Sequence, residues 1–207
     1  MHYRRLNMVV VITGGIGSGK SEVCRIFRRL GVNAVYNADQ KVKALYGGVP
    51  GLLDTIERSL RLTLRNQDGS FCPASLAKVI FNDRAALQIV EKIVFPYLKE
   101  DFNTWVKDYA DEHIVLFESA TILEKEDFDG FGDRVILVDA PVELRKCRAA
   151  DRDRLPKERI EERMSNQQQM NSFADCQDRV DYIIVNDGTL EELENKVRII
   201  YNKLINN

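Results

Sequence analysis

The feature that most constrains the fold is a glycine-rich segment between a β-branched run and a helical pattern. Residues 8–12 read Met-Val-Val-Val-Ile, which predicts a strand buried on both faces, as in parallel sheets. Residues 14–21 then satisfy G-x-x-x-x-G-K-[ST], and over residues 20–30 apolar side chains recur at helical spacing until Gly31. A strand, a glycine loop and a helix in this order predict a phosphate-binding loop.

The loop needs glycines because successive backbone N–H groups must surround phosphate oxygens at close range. The helix N-terminus adds a partial positive charge. Lys20 is expected to reach the β- and γ-phosphates of ATP, and the Ser21 hydroxyl to ligate Mg²⁺. A glycine-rich turn that binds nothing is the less favoured alternative. The predicted ATP-binding residues are Gly15, Ile16, Gly17, Ser18, Gly19, Lys20, Ser21 and Glu22.

The rest of the chain alternates short apolar runs with helical patterns. Further strands are predicted at residues 32–36, 114–117, 135–138 and 182–185. With the first strand they predict an α/β fold, a five-stranded parallel sheet with helices on both faces.

Two intervals between strands are long enough to carry structure of their own. Residues 40–112 are too long for one crossover and predict a helical insert, with a long helix that begins after Pro96 and ends at Trp105. Residues 142–169 are dense in Arg, Asp and Glu and predict a helical lid. Pro141 and Pro156 stand where helices are expected to begin.

Composition narrows the function classes. A net charge of −2 argues against a large nucleic-acid footprint. Because no long uncharged apolar run and no signal segment occur, we expect a cytoplasmic chain without membrane spans. The four cysteines are far apart and the chain has only two histidines, so a disulfide framework and a structural zinc site are both unfavoured.

Three acids follow predicted strands, where open α/β sheets bind ligands. Asp39 could hold the attacking hydroxyl or accept its proton, and it could equally be the N-cap of a helix that starts at Gln40. Glu118 and Asp139 could each orient Mg²⁺. We favour Glu118, because its strand is expected to neighbour the strand before the glycine loop. Asn37 is interpreted as a turn residue.

Residues 12–21, with Gly31 and Asp39 in order after them, resemble the dephospho-coenzyme A kinase family. Further landmarks follow in the expected order at Asp68-Gly69, Glu124, Gln167 and residues 181–188. The resemblance implies a P-loop kinase-like fold that transfers the γ-phosphoryl group of ATP to the ribose 3′-hydroxyl of dephospho-coenzyme A. It also implies that the insert, residues 40–112, binds this small-molecule acceptor.

The resemblance selects two arginines from a charged run. Residues 145–163 interleave basic and acidic side chains, most of which are expected on a solvated helix surface. Arg148 and Arg152 match the family and are expected to neutralise charge on the transferring phosphoryl group, with Arg145 a weaker candidate. The predicted catalytic residues are therefore Lys20, Asp39, Arg148 and Arg152.

The chain departs from the family pattern mainly in the insert. Phe95 stands where the family usually has histidine, and Pro73 where it usually has arginine. We therefore expect dephospho-coenzyme A to bind more weakly than in kinases that keep both residues. Two alternatives remain open, another P-loop nucleotide or metabolite kinase and a non-catalytic nucleotide-binding regulatory protein.

Overall fold

The glycine loop leaves the central strand of a parallel sheet. The computed structural model describes residues 7–165 and 178–206, and the chain divides into two units, of which the first comprises Met1–Asn37 and Asp108–Asn207. Its strands run parallel in the order β2-β3-β1-β4-β5, which confirms the predicted α/β sheet. The strands are β1 (Met8–Thr13), β2 (Val35–Asn37), β3 (Ile114–Glu118), β4 (Arg134–Asp139) and β5 (Tyr182–Val185).

One face of this sheet is covered by two helices, α1 (Lys20–Arg29) and, near the end of the chain, α8 (Leu190–Ile205). Thr189 and Glu192 form a reciprocal capping box at the start of α8. The helices bury an apolar core against alternate strand residues, because successive side chains of a strand point to opposite faces. The buried core includes Val10, Ile12, Val23, Ile26, Phe27, Leu116, Ile136, Val138, Ile184, Val197 and Ile200.

An aromatic cluster packs around the carboxyl end of β3. The ring of Phe117 stacks on Tyr36 with 5.3 Å between centroids and meets Phe131 edge-on at 4.7 Å. Phe128 contacts both Phe117 and Phe131. Because offset and edge-to-face ring pairs favour defined geometries, this cluster fixes the strand end that carries Glu118.

The predicted lid region begins with two helices, α6 (Val142–Asp153) after Pro141 and α7 (Lys157–Ser165) after Pro156. Ala149, Ile160 and Met164 form a small buried core between them, and Ile16 of the glycine loop packs against it. This part of the region is thus in contact with the loop. Residues 166–169, including Gln167, lie outside the described residues.

The second unit, Ala38–Lys107, occupies most of the interval predicted to be helical. Its helices are α2 (Ala38–Gly48), α3 (Leu52–Leu60), α4 (Pro73–Asn82) and α5 (Arg84–Trp105). The longest, α5, packs against the other three. Its apolar side chains recur every four residues, at Ala86, Val90, Val94, Leu98 and Phe102.

The prediction that a helix begins after Pro96 is wrong, because Pro96 lies inside α5. The helix begins at the Asp83 N-cap, whose carboxylate accepts hydrogen bonds from the N–H groups of Ala85 (2.8 Å) and Ala86 (3.1 Å). Proline disfavours a helix interior by removing one backbone donor, but the buried apolar stripe on both sides of it stabilises a continuous helix. Among the described helices, including α5, none has the length and apolar character needed to cross a membrane.

Candidate phosphate-binding site

The loop between β1 and α1 has the backbone geometry that the sequence motif requires. Gly19 is the N-cap of α1 with φ 103°, a left-handed conformation that favours glycine. It can offer no side-chain acceptor to the first N–H groups of the helix, which suits an anion at this end. At Gly14 a Cβ atom would lie 2.1 Å from the Val138 carbonyl oxygen, so a larger residue would displace the loop from β4.

Lys20 folds back over its own loop. Its Nζ donates to the carbonyl oxygens of Gly14 (2.7 Å) and Gly15 (3.1 Å). The ammonium group is therefore held beside the glycines, in the region where the motif places phosphate oxygens.

Two hydroxyl groups under the loop lack hydrogen bonds in the described part of the chain. They are Thr13 Oγ1 and Ser18 Oγ, and both residues are fully buried. Buried polar groups are nearly always paired, and an unpaired one costs about 1–3 kcal/mol. A polar ligand at the loop would relieve part of this cost.

Glu118 is the hub of a polar network beside α1. The Ser21 hydroxyl donates to one carboxylate oxygen at 2.7 Å, and the Asn37 amide donates to the other at 2.9 Å. Asn37 and Glu118 are paired in register as the last residues of β2 and β3. The interpretation of Asn37 as a turn residue is therefore wrong, because strand pairing aims its side chain at Glu118.

The strand order alone does not separate the two Mg²⁺ candidates, since β3 and β4 both flank β1. The hydrogen bonds and ion pairs of Glu118 and Asp139 distinguish the two candidates. Glu118 is 6% exposed and bonded to the loop serine. Asp139 Oδ1 lies 3.9 Å from Arg145 Nη1 instead. The network thus favours Glu118 as the carboxylate that acts together with Ser21.

Asn186, directly after β5, was given no role by the sequence motif. Its buried amide donates to the Ser18 carbonyl oxygen at 2.8 Å, and its backbone N–H donates to the Asp139 carbonyl oxygen at 2.7 Å. A Cβ on Gly19 would lie 2.2 Å from this amide nitrogen. The sequence could have pointed to Asn186 only through its position, because it is a polar residue at the carboxyl end of a predicted strand.

The three candidate arginines of α6 differ in their surroundings. Arg148 donates to the Asn186 carbonyl oxygen at 2.9 Å, and the Asn186 side chain in turn donates to the glycine loop. The side chain of Arg145 contacts the loop itself. Arg152 pairs with Asp153 at 2.7 Å, and Asp153 also binds Arg163. Arg152 and then Arg163 hold the pKa of Asp153 below its usual range. The structure therefore brings Arg145 and Arg148, but not Arg152, to the loop and its supporting residues.

The two remaining predicted site residues are Glu22 and Asp39. The Glu22 side chain pairs with Arg25 and Arg29 on α1, and its backbone N–H donates to Gly19. Asp39 is the second residue of α2, which begins at Ala38, so it lies in the first helical turn and is not an N-cap. Their roles towards ATP and the acceptor hydroxyl stay predictions.

Comparisons with known proteins agree with this architecture. The family model described as dephospho-CoA kinase matches residues 8–192. The chain is similar to a dephospho-CoA kinase of Chlorobaculum tepidum, 32% identical over 206 residues with 97% of each chain covered. It is also similar to one of Porphyromonas gingivalis, 35% identical with 81% of each covered. A solved structure of the Thermus thermophilus protein TT1252 has a TM-score of 0.80 at 25% identity, covering 96% of this chain and 98% of that one.

Proposed function

Because the chain belongs to the dephospho-CoA kinase family and so phosphorylates dephospho-CoA with ATP to give CoA, we propose that the loop of residues 14–21 holds the ATP phosphates. The observation that carries the proposal is the bond from Ser21 to Glu118 at the start of α1, which joins the loop to a buried carboxylate. The comparisons give no support to a different kinase or to a non-catalytic regulator.

The proposed mechanism uses positioning and electrostatics without a covalent enzyme intermediate. The loop N–H groups and Lys20 would hold the β- and γ-phosphates and stabilise charge that develops during transfer. Asp39 would orient the 3′-hydroxyl of the acceptor and accept its proton. Arg148 is the better placed lid arginine, through its bond to Asn186, whereas Arg152 pairs with Asp153.

Ser21 and Glu118 fit a magnesium ion. Both present oxygen atoms, which Mg²⁺ prefers, and the ion is commonly held by one or two protein groups together with substrate phosphates. Ser21 and Glu118 would hold the ion, whose charge would neutralise part of the charge on the ATP phosphates. Asn37 would then keep the Glu118 carboxylate in a fixed orientation.

Glu118→Gln is expected to raise the Mg²⁺ concentration for half-maximal activity by about tenfold, because the amide keeps the shape of the side chain but loses its charge. A coupled ADP-release assay over a magnesium titration measures this. Glu194→Gln is the matched control, since it neutralises an acid on α8 that pairs with Arg29. An unchanged magnesium requirement in Glu118→Gln would remove this residue from the metal site.

We propose that the helical insert, residues 40–112, binds dephospho-CoA. Pro73 is the first residue of α4 and Phe95 lies within α5, so both departures from the family pattern fall in the second unit. Loss of one hydrogen bond to a charged group, about 1.5–3 kcal/mol, raises a Kd roughly ten- to a hundredfold.

Dephospho-CoA at a hundred times its Kd is expected to stabilise the protein by about 2.7 kcal/mol, a rise of several degrees in Tm. We expect the shift to need high micromolar to millimolar ligand, and Phe95→His to lower that concentration about tenfold. Saturation at low micromolar ligand in the wild type would show that neighbouring residues compensate. No shift even at millimolar dephospho-CoA, beside a clear shift with MgATP, would reject the insert as its binding site.

The direct test of the site proposal is the coupled assay with dephospho-CoA as acceptor and Ser21→Ala as the loop variant. Release of ADP that depends on dephospho-CoA and falls in Ser21→Ala supports it. The cytoplasmic location expected from the sequence stays a prediction.

A further inference from the structure

Arg145 of α6 lies directly against the glycine loop. Its Nε donates to the Ile16 carbonyl oxygen at 3.0 Å. A Cβ atom on Gly15 would lie only 2.0 Å from a terminal guanidinium nitrogen, and one on Gly17 would lie 2.2 Å from the Arg145 carbonyl oxygen. The loop thus packs on both the side chain and the backbone of this residue, and any side chain at Gly15 would displace the guanidinium.

The charge of Arg145 is buried and weakly compensated. The residue is 4% exposed, and burial lowers the pKa of its guanidinium while Asp139 opposes that effect. The Asp139 oxygen is 3.9 Å away, beyond hydrogen-bond distance, on a side chain that is 44% exposed. Of the five N–H donors, the described residues accept a hydrogen bond only from Nε.

A buried cation whose carboxylate partner lies as far as 3.9 Å away and is partly exposed stays costly unless a further anion compensates it. Arginine stays charged at physiological pH, so its positive potential acts on the adjacent loop. Lys20, which bonds to the carbonyl oxygens of Gly14 and Gly15 in the same loop, adds a second positive charge. A polyphosphate at this loop would supply the missing negative charge.

We infer that Arg145 is a positioning residue of the phosphate loop, which holds the Ile16 carbonyl in place and supplies a buried charge that strengthens binding of nucleotide phosphates. The inference rests on the proposed function, in which this loop binds ATP. The role is positioning rather than catalytic because the hydrogen bond goes to a loop carbonyl. If the charge of Arg145 matters, the loss of nucleotide affinity on removing it should grow with the number of phosphates. A purely structural role of Arg145 predicts a loss that does not depend on that number.

The test compares Arg145→Gln, which loses the charge, with Arg145→Lys, which keeps it. Kd values for ATP, ADP and AMP are measured by calorimetry on the full chain. We expect Arg145→Gln to weaken ATP about tenfold, ADP less and AMP least, with kcat at saturating ATP nearly unchanged, and Arg145→Lys to recover most of the loss. Arg159→Gln is the control, because it removes an exposed arginine of α7.

Equal weakening of the three nucleotides by Arg145→Gln, or an Arg145→Lys variant as weak as Arg145→Gln, would overturn the charge role. A fall in kcat with unchanged ATP affinity would overturn the positioning role. Asp139→Asn gives an independent measurement should Arg145→Gln fail to fold. Removing that carboxylate is expected to tighten ATP several-fold and to leave AMP unchanged, and unchanged ATP affinity would count against the inference. A wild type that binds none of the nucleotides would instead contradict the proposed function itself.

Discussion

Lys20→Ala is expected to lower kcat by about 10²–10³-fold, the loss typical when one preorganised donor to transition-state charge is removed. The Lys20 ammonium donates to carbonyl oxygens of its own loop, and its side chain is not part of the apolar core beneath α1. The fold should therefore survive. The coupled ADP-release assay measures the rate, and circular dichroism with thermal melting checks the fold.

Arg28→Ala is the matched control for this variant. It removes one positive charge from the exposed side of the same helix, two turns beyond the loop, and is expected to keep near-wild-type turnover. A folded Lys20→Ala protein with wild-type turnover would contradict the role given to the loop.

Asp39→Asn is expected to lower kcat by about 10²-fold or more, within the range for loss of a general base, while MgATP affinity stays unchanged. The change is nearly isosteric but removes the anion that would accept the proton. Because Asp39 lies in the first turn of α2 rather than at its N-cap, little stability should be lost with the charge.

Asp83→Asn is the control for a residue that acts only as a helix cap. Asp83 is the N-cap of α5, and asparagine caps a helix about as well as aspartate, so this control should retain both rate and Tm. An Asp39→Asn variant that keeps the wild-type rate and Tm, as this control should, would contradict the role proposed for Asp39.

Features set by local sequence were predictable. The β-branched run gave β1, the glycine spacing gave the loop, and Gly31 follows α1 with φ 101° as a helix-ending glycine. The strand at residues 182–185 has the predicted bounds. In each case neighbouring residues decide the backbone conformation, through hydrophobic periodicity or through the conformations open to glycine.

Features set by contacts between distant residues were not predictable. Asn37 faces Glu118 only because β2 and β3 pair in that register. Arg145 and Asn186 meet the loop across 129 and 168 residues. Pro96 remains helical because tertiary packing along α5 outweighs its local preference. A single sequence contains these residues but not the pairings that give them their roles.

The contact between Asn186 and Ser18 also bears on the order in which the protein is made. The glycine loop leaves the ribosome before its partner amide, which is synthesised 168 residues later, on the order of ten to thirty seconds at 5–20 residues per second. A nascent chain that ends before β5 has the complete motif but not this brace. The loop therefore acquires this brace only late in translation, after β5 has been synthesised.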